Sequence, residues 1–396
     1  MPKETLTLAV GYWLLAVGGQ RLKANSKKIV LLPPIHHGML RYIVKKIGYG
    51  LLLMLGVTTL VFFLFTVLPS DPARMIMGQR SDLETEEAIR KEMGLDLPIG
   101  VQYLAYLNDV SPISWHRTDD PTSFFYLNDD NYHYVKLIPM KKSAIVLKAP
   151  YLRRSYQSKR PVTEIIGEAF PKTVLLAVVS IVFALIVGII IGIFCALKKG
   201  TWFDKSALVV SVLGMSVPSF FAAILFAWVF AFLLADYTGL NMFGSLYTVD
   251  DYGSGQYVNL KNLILPALTL GIRPLAVVIE LTKNSLLDVL SQDYIRTAKA
   301  KGLARKTIIV KHALKNALNP VVTAISGWLA GLLAGAVFVE YIFDWKGMGV
   351  VILDGLDKYD FPVVMGSLLY VSIILVIINI VCDIIYGWLD PRVSLS

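Results

Sequence analysis

Six long apolar runs constrain this chain more than any other feature of its sequence. As helices that rise ~1.5 Å per residue, all six are long enough to cross ~30 Å of hydrocarbon. They extend roughly over residues 47–68, 173–197, 206–234, 262–281, 320–339 and 361–389. The sequence therefore predicts an all-α integral membrane protein with six transmembrane helices.

The composition supports a membrane protein. Of 396 residues, 55% are hydrophobic and only 17% are charged, too few to cover a soluble globule of this size. Cys195 and Cys382 both lie inside apolar runs. Neither a disulfide framework nor a zinc site is compatible with that setting, so both are predicted to be core residues.

Proline interrupts two of the runs. Pro218 lies in "SVPSF" in the third run, and Pro274 lies in "GIRPLA" in the fourth. Because proline lacks a backbone N–H and clashes with the preceding turn, each residue is predicted to kink or break its helix.

The basic residues of the short loops predict an orientation. Lys and Arg precede the first run, fill the loop before the third and fill the segment 291–319. The loop 235–260 has no Lys or Arg, and 340–360 is dominated by acids. Since positive loops stay in the cytoplasm, both termini of the six-span core are predicted to be cytoplasmic.

A long loop, 69–172, follows the first run and predicts a small extracytoplasmic domain. Its first part predicts an amphipathic helix, and its middle, rich in aromatic residues and Asp-containing turns, predicts short strands. His116 and His133 lie in this middle. No second pair at ligand spacing accompanies them, so they are predicted to be solvated loop histidines, and no metal site is predicted.

Motifs for catalysis are missing from the sequence. It contains no Gly-x-x-x-x-Gly-Lys-Ser/Thr segment, no Gly-x-Ser-x-Gly and no His-Glu-x-x-His. The pattern favours a pathway over a catalyst and predicts no catalytic residue and no cofactor.

The stretch "DYIRTAKAKGLARKTIIVKHALKNALNP" lies between the fourth and fifth runs and is strongly basic. Ser291 and Asp293 are candidate N-caps for a helix over 294–301, and Gly302 is a candidate helix stop. The helix would place Tyr294, Ile295 and Ala298 on one apolar face, suited to a groove on another protein. A positive anchor that only sets the topology is the alternative.

Several motifs along the chain resemble one protein family. The stretch just quoted is similar to the cytoplasmic coupling signature of inner-membrane permease subunits of binding-protein-dependent ABC importers, in the branch for dipeptides, oligopeptides or nickel. Further motifs occur in the family's order: "MLRYIVKKI" at Met39, "LPSDPAR" at Leu68, "MGLDLPIGVQYL" at Met93, "KRPVTEIIGEAFPKTVLLA" at Lys159, "SVPSF" at Ser216, "LILPALTLG" at Leu263 and "WLDPR" at Trp388.

The resemblance implies a fold, partners and a mechanism. The fold is that of a type I ABC importer permease with a long extracytoplasmic loop after the first helix. The partners are a second homologous permease, two ABC ATPase subunits, an extracytoplasmic solute-binding protein and the lipid bilayer, with no nucleic acid. ATP would be hydrolysed by the separate ATPases, and closure of these subunits would drive alternating access. The location implied is the cytoplasmic (inner) membrane.

The resemblance also implies which residues dock in the ATPase cleft. The family's usual Glu-Ala-Ala opening is represented by Arg296, Thr297 and Ala298, and the glycine of the signature by Gly302. The implied coupling residues are Asp293, Tyr294, Arg296, Thr297, Ala298, Lys299, Gly302 and Leu303.

Two other classes of protein remain as alternatives. A self-sufficient channel or ion-coupled carrier is expected to show coupling acids near mid-bilayer and an internal repeat, and neither stands out here. A membrane-embedded enzyme would need a catalytic constellation.

The chain departs from the family at three places. Residues 1–38 precede the usual start and are predicted to be an upstream extension without transport function, which a misplaced start codon at Met1 would explain. An extra anchor helix is the alternative. The loop over 109–146 is longer than usual in the family. It either shapes the landing surface for the binding protein or is a lineage-specific addition. Glu280 stands where a basic residue is expected, and it is predicted to pair with Lys283 or to line the pathway.

Small residues predict close helix packing. Gly188 and Gly192 recur at four-residue spacing in the second run, and Gly327, Gly331 and Gly335 do so in the fifth. Asp383, near the end of the last run, is predicted to contact a helix terminus or a basic neighbour. The predicted organisation is an extension over 1–38, a first helix over 39–68, the loop 69–172 and a five-helix core over 173–396.

Overall fold

The computed structural model describes residues 35–67, 83–129, 132–249 and 255–389. Contacts divide the chain between Tyr42 and Ile43, and all packing described below lies within the unit Ile43–Leu395. The predicted extension up to residue 34, the first part of the long loop up to residue 82 and the "DPR" of the last motif lie outside the described residues.

The described chain is mainly helical, with two small sheets. In chain order the elements are α1 (Ile35–Val67), α2 (Leu83–Glu92), α3 (Ile99–Val110), β1 (Ile113–Arg117), β2 (Tyr134–Pro139), β3 (Ser143–Lys148), α4 (Val162–Leu197), α5 (Trp202–Ser216), α6 (Ser219–Trp228), α7 (Ala235–Thr238), β4 (Tyr247–Val249), β5 (Gln256–Val258), α8 (Lys261–Leu290), α9 (Asp293–Ala300), α10 (Arg305–Thr307), α11 (Leu314–Ala317), α12 (Asn319–Gly335), α13 (Val337–Ile342), α14 (Met348–Asp357) and α15 (Phe361–Leu389). Two π-helical turns, Val229–Leu233 and Ile308–Ala313, follow α6 and α10.

Up to six membrane spans can be counted in the described residues. Four helices, α1, α4, α8 and α15, are each long and apolar enough to cross a bilayer alone. Two bent pairs add the others: Trp202–Ser216 with Ser219–Leu233, bent by 112°, and Arg305–Ala317 with Asn319–Leu333, bent by 48°. With each bent pair as one span, the count equals the predicted six.

The two prolines behave differently. Pro218 lies at the 112° bend and caps the start of α6, so the predicted break at this residue is confirmed. Pro274 lies inside α8, which runs without interruption from Lys261 to Leu290, so a break there is wrong. In the most apolar stretch of α8, 67% of the residues are buried, the largest share among the four long helices. Neighbouring helices therefore support α8 through its prolines.

Glycines bring α4 and α8 into close contact. A Cβ built on Gly188 would lie 2.7 Å from Val278, and one on Gly192 would lie 2.6 Å from Thr282. On α8, a Cβ at Gly271 would lie 2.7 Å from the ring of Phe183. Since real Cβ atoms do not approach so closely, only glycine fits at these three positions with the two backbones at this separation.

A three-stranded antiparallel sheet of order β1-β3-β2 lies between the first two spans, as the strand prediction for this loop expects. Side chains along β1 alternate between the two faces of the strand, and Ser114 and His116 both lie on the buried face. The prediction that His116 is a solvated loop residue is therefore wrong. His116 Nε2 lies 3.0 Å from Ser114 Oγ, and burial together with nearby Lys148 lowers the pKa of its imidazole. His133 is an exposed loop residue.

Two further predictions concern single residues inside the spans. Lys46 Nζ lies 3.0 Å from a carboxylate oxygen of Asp383, so the predicted basic neighbour is confirmed and joins α1 to α15. Cys195 and Cys382 are both buried and unbonded to other sulfurs, as predicted for core residues.

Candidate functional site

The basic stretch between the fourth and fifth spans begins with α9, and two residues separate α9 from the end of α8. Ser291 Oγ donates to Asp288 O at 2.7 Å and so finishes α8, and Gln292 is the N-cap, without a side-chain bond to the helix. The prediction of Ser291 or Asp293 as N-cap is therefore wrong by one position. Asp293 is the first residue of α9, where its negative charge still favours the helix dipole.

Gly302 ends α9 in the geometry that the sequence predicts. Its φ is +74°, and its amide donates to Lys299 O at 3.0 Å, while the amide of Leu303 donates to Ala298 O at 3.3 Å. This pair of bonds is the Schellman motif, which requires a left-handed residue after the helix. A Cβ on Gly302 would meet nothing within 4 Å, so the requirement at this position is conformational.

The apolar face of α9 packs against its own chain. Ile295 and Ala298 are buried in one cluster with Ala196 of α4, Leu286 of α8 and residues of the following segment. The prediction that this face lies in a groove of another protein is therefore wrong for both residues. The spacing of the apolar residues predicts the correct helical period, but the residues that bury this face belong to the same chain.

The other faces of α9 are exposed. Asp293 and Arg296 pair at 3.5 Å across one turn, with side chains 95% and 76% exposed. Such a pair adds little stability because water screens it. The remaining exposed residues of the implied coupling set are Tyr294, Thr297, Lys299, Gly302 and Leu303.

The segment after α9 connects it to the fifth span. Ile308 and Ala313, in the π-helical turn, and Ala317, in α11, pack into the same cluster as Ile295 and Ala298. Tyr294 OH also accepts a hydrogen bond from Asn316 Nδ2 at 3.0 Å. Helix α9 is therefore packed against α4, against α8 and against the segment that leads into α12.

An ion pair close to this end of α8 differs from the prediction. Lys283 Nζ lies 2.5 Å from Asp204 Oδ1 on α5, and Asp204 Oδ2 accepts from the amide of Gly200 at 2.9 Å. The predicted pairing of Lys283 with Glu280 is wrong, because Asp204 reaches Lys283 from the neighbouring helix. Glu280 is exposed and borders the same cavity as Lys283.

A buried polar cluster around Glu340 was not found from the sequence. The Glu340 carboxylate accepts from Thr173 Oγ1 at 2.6 Å and from the amide of Gly349 at 2.6 Å. Thr173 Oγ1 accepts in turn from the amide of Met348 at 2.8 Å, and the indole of Trp345 donates to Lys172 O at 3.0 Å. We call Glu340, Thr173, Trp345, Met348 and Gly349 the Glu340 junction.

The Glu340 junction joins the start of α4 to α13 and α14. Burial raises the pKa of Glu340 to about 7, against the opposing effect of the hydrogen bonds from Thr173 and Gly349. A Cβ at Gly349 would lie 2.4 Å from the Cα of Val337, so the junction also depends on this glycine. The signal in the sequence is an acid directly after an apolar run, followed by "WKGMG".

The glycines of the fifth span differ from those of the second. Among the residues that the structure describes, a Cβ on Gly327 or Gly331 would meet nothing within 4 Å, so neither packs closely against another described helix. Gly335 is the last residue of α12. Close packing at these three positions stays a prediction, and it concerns contact with another subunit.

Two family sequence models match this chain. "Binding-protein-dependent transport system inner membrane component" matches residues 188–395, which include α9. Its N-terminal counterpart, "Binding-prot-dependent transport system membrane comp, N-term", matches residues 39–117.

Relatives at about one-third identity extend over most of the chain. The dipeptide transport system permease protein DppB of Alkalihalophilus pseudofirmus is 31% identical over 372 residues, which cover 90% of this chain and 100% of the relative. DppB of Escherichia coli K12 is 32% identical, with coverage of 90% and 99%. The glutathione transport system permease protein GsiC of Salmonella typhi is also 32% identical, with the same two coverages.

Among solved structures, the inward-facing MetNI methionine ABC transporter aligns with a TM-score of 0.46 at 16% identity. The alignment covers 58% of this chain and 98% of that one.

Proposed function

Because the chain belongs to the family of binding-protein-dependent transport system inner membrane components, we propose that it forms part of the pathway that carries di- or oligopeptides across the cytoplasmic membrane. It is a transport subunit and not itself the ATPase. The relatives at 31–32% identity transport dipeptides or glutathione, and glutathione is itself a short peptide. These cargoes support a peptide as the substrate class.

The exposed surface of α9 is the observation that carries the proposed coupling role. Tyr294, Arg296, Lys299 and Leu303 are accessible on α9 and directly after it, while Ile295 and Ala298 hold the helix to the chain. We place the ATPase contact on this exposed surface. A helix held by one face and open on the others can receive a push from a partner and pass it to the spans below.

The path of that push follows the packing. Ile295 and Ala298 share one cluster with Leu286 of α8 and Ala196 of α4, and the close α4–α8 contact at Gly188 and Gly192 makes these two helices move as a unit. The 48° bend before α12 is the place where the fifth span can change its angle relative to α9. ATP-driven closure of two ATPases would then alternate the access of a cavity shared with the second permease.

The orientation of the chain is part of this proposal. With α9 in the cytoplasm, the β1-β3-β2 sheet lies on the extracytoplasmic side of the membrane. Cysteine substitutions at exposed Thr122 and Lys306, on a background in which Cys195 and Cys382 are replaced by alanine, test it with an impermeant maleimide. Labelling at Thr122 in intact cells, and at Lys306 only after permeabilisation, is expected. The reverse pattern would overturn the orientation.

Cargo and class are tested in proteoliposomes. The chain is reconstituted with its sister permease, the two ATPases and the solute-binding protein, and uptake of a labelled dipeptide is measured beside ATP hydrolysis. We expect uptake that needs both ATP and the binding protein. Uptake of Ni²⁺ but not of peptide under the same conditions would show that the cargo is nickel. Uptake without the ATPases would show that the protein is a channel or carrier.

A further inference from the structure

A cavity of ≈ 290 Å³ lies in the domain between the first two spans, away from α9. Its residues come from α3, from the loop before β2 and from the segment between β3 and α4. We call it the Arg153 cavity. Asp109, Tyr132 and Arg153 form its inner part, and exposed Arg154 and Lys159 stand at its rim.

The loop that carries the basic residues is fixed by hydrogen bonds to Asp360 and by its own backbone conformation. Asp360, at the start of α15, accepts from Ser155 Oγ at 2.5 Å and from the amide of Tyr156 at 2.9 Å. Arg153 and Lys159 both adopt left-handed backbone, with φ of 65° and 58°. Non-glycine residues keep this conformation only where the surroundings impose it, and such residues concentrate at binding sites. The basic side chains therefore start from a rigid backbone.

One nitrogen of the Arg153 guanidinium has no acceptor among the described residues. Arg153 Nε donates to Asp109 Oδ2 at 2.8 Å, and the rings of Tyr106 and Phe124 lie 5.6 and 5.4 Å from its guanidinium carbon. Nη2 is buried and has no hydrogen-bond acceptor within the part of the chain that the structure describes. A buried charged donor without an acceptor is costly, so this atom is a candidate donor to an anionic ligand.

Asp109 does not accept from Nη2 in this structure, and its oxygens bond to other donors. Asp109 Oδ1 accepts from Tyr132 OH at 2.9 Å, Oδ2 takes Arg153 Nε, and the backbone oxygen accepts from Lys148 Nζ. Asp109 is also the one acid among the residues that line the cavity, against Arg153, Arg154 and Lys159. The lining therefore carries an excess of positive charge.

The walls indicate what kind of anion fits. Phe124, Tyr132, Tyr151 and Tyr156 contribute rings, and Met93 contributes an apolar side chain. With Nε bonded to Asp109, Arg153 Nη2 can donate one charge-assisted hydrogen bond to a carboxylate, and aromatic walls favour an apolar group next to it. The volume lies near the lower end of ligand pockets, ~300–1,000 Å³, and so suits one or two residues of a peptide.

We propose that the Arg153 cavity binds the C-terminal carboxylate of a short peptide with an apolar or aromatic last residue, at a site outside the membrane spans. Arg153 would hold the carboxylate, Arg154 and Lys159 would attract it, and the rings would contact the last side chain. The choice of a peptide as the carrier of the carboxylate rests on the proposed function. A peptide held here would be at the protein's surface before it enters the path between the permeases.

The test measures binding of Ala-Phe and of its C-terminal amide to the purified permease pair in lipid nanodiscs, without ATP or binding protein. We expect the amide to bind at least tenfold more weakly, because it lacks the carboxylate. The double variant R154Q/K159Q should weaken Ala-Phe binding several-fold. R153K keeps the charge but removes the Nη2 donor, and it should reduce the difference in affinity between the acid and the amide.

Arg160 provides the matched control. It lies on the same loop, is exposed and pairs with Glu168 outside the cavity, so R160Q removes one positive charge without touching the proposed site. R160Q should leave Ala-Phe binding unchanged, and thermal unfolding of every variant checks that the pair is intact. Equal binding of acid and amide, or unchanged binding in R154Q/K159Q, would overturn the proposal.

Two other outcomes separate this site from its alternatives. If R154Q/K159Q weakens docking of the solute-binding protein while peptide binding is unaffected, the cavity receives a protein side chain and the proposal is wrong. If the reconstituted importer takes up no peptide, yet Ala-Phe binds with the expected pattern, the site stands and the proposed cargo fails. If peptide uptake is normal and the cavity variants do not change peptide binding, the proposed site is wrong and the proposed cargo stands.

Discussion

Helix α9 exposes most of its side chains, whereas the Glu340 junction buries its own. On α9, Ile295 and Ala298 are the buried residues, and Gly302 has open space around it. In the junction, Glu340 and Trp345 have no exposed surface, and a Cβ on Gly349 would overlap the backbone of Val337. Both regions end spans, yet one can be contacted by a partner and the other cannot. Substitutions should therefore affect coupling in the first region and stability in the second.

The largest effect is expected at the centre of the junction. Glu340→Ala removes the acceptor for Thr173 Oγ1 and for the amide of Gly349, and it leaves a void in a buried site. Buried donors without acceptors cost ~1–3 kcal/mol each, so we expect a loss of about 3 kcal/mol in the free energy of unfolding. Thermal unfolding in detergent measures it. Exposed Tyr341, the next residue on α13, is the control, and Tyr341→Ala should change stability by less than ~0.5 kcal/mol.

The junction should also make stability depend on pH. Burial raises the pKa of Glu340 to about 7 from an ordinary value of 4.5. Between these values the folded state keeps a proton that the unfolded state releases, so the contribution of Glu340 to stability is complete below pH 4.5 and is lost as pH rises through 7. Over this window we expect a loss on the order of 2 kcal/mol.

Glu340→Gln isolates this effect, because the amide does not titrate. The difference in unfolding temperature between wild type and Glu340→Gln should change between pH 5 and pH 8, in favour of the variant at pH 8. A constant difference across this range would show that the carboxyl is ionised throughout and that the pKa of Glu340 is not raised.

Features that depend on a residue's own backbone preference could be predicted from the sequence. Gly302 could be predicted because a left-handed helix end favours glycine, and Pro218 because proline interrupts a helix whatever surrounds it. His116 could not, because its burial depends on which face of β1 meets the rest of the sheet. Lys283 has an acid three residues away in the sequence and a different one, Asp204, on the neighbouring helix, and tertiary packing chose the latter.

The apolar face of α9 illustrates the same limit. The spacing of Ile295 and Ala298 gives one buried face, but no local pattern says whether that face meets its own chain or another protein. The Glu340 junction joins residues 167 positions apart, from Thr173 to Glu340, so it has no local signature beyond an acid near glycines.

Gly302 should tolerate changes according to their backbone preference. Gly302→Val puts a β-branched residue at a φ of +74°, which costs ~1 kcal/mol or more and should unwind the end of α9. Gly302→Asn is the matched variant, because asparagine adopts this conformation more easily. With open space around the position, neither should clash within the chain. We expect peptide-stimulated ATP hydrolysis to fall strongly in the first and mildly in the second, and equal losses would assign the defect to bulk in the ATPase cleft.

The smallest effect on stability, and the sharpest test of the comparison, is a charge reversal on the exposed side of α9. Lys299→Glu and Lys311→Glu both replace an exposed lysine in the same basic segment, one on α9 and one in the π-helical turn beyond it. Each should change the free energy of unfolding by less than ~0.5 kcal/mol, because exposed charges away from packed sites contribute little. If the segment only anchors the topology through its positive charge, the two variants are equivalent, since the positive-inside rule counts charges and not faces. If α9 docks in a groove of the ATPase, Lys299→Glu alone should weaken co-purification of the ATPase and lower transport, because a misplaced charge at an interface costs affinity. Pull-down of the ATPases, together with peptide uptake by correctly inserted protein, separates the two cases, and identical behaviour of the two variants would return α9 to the role of an anchor.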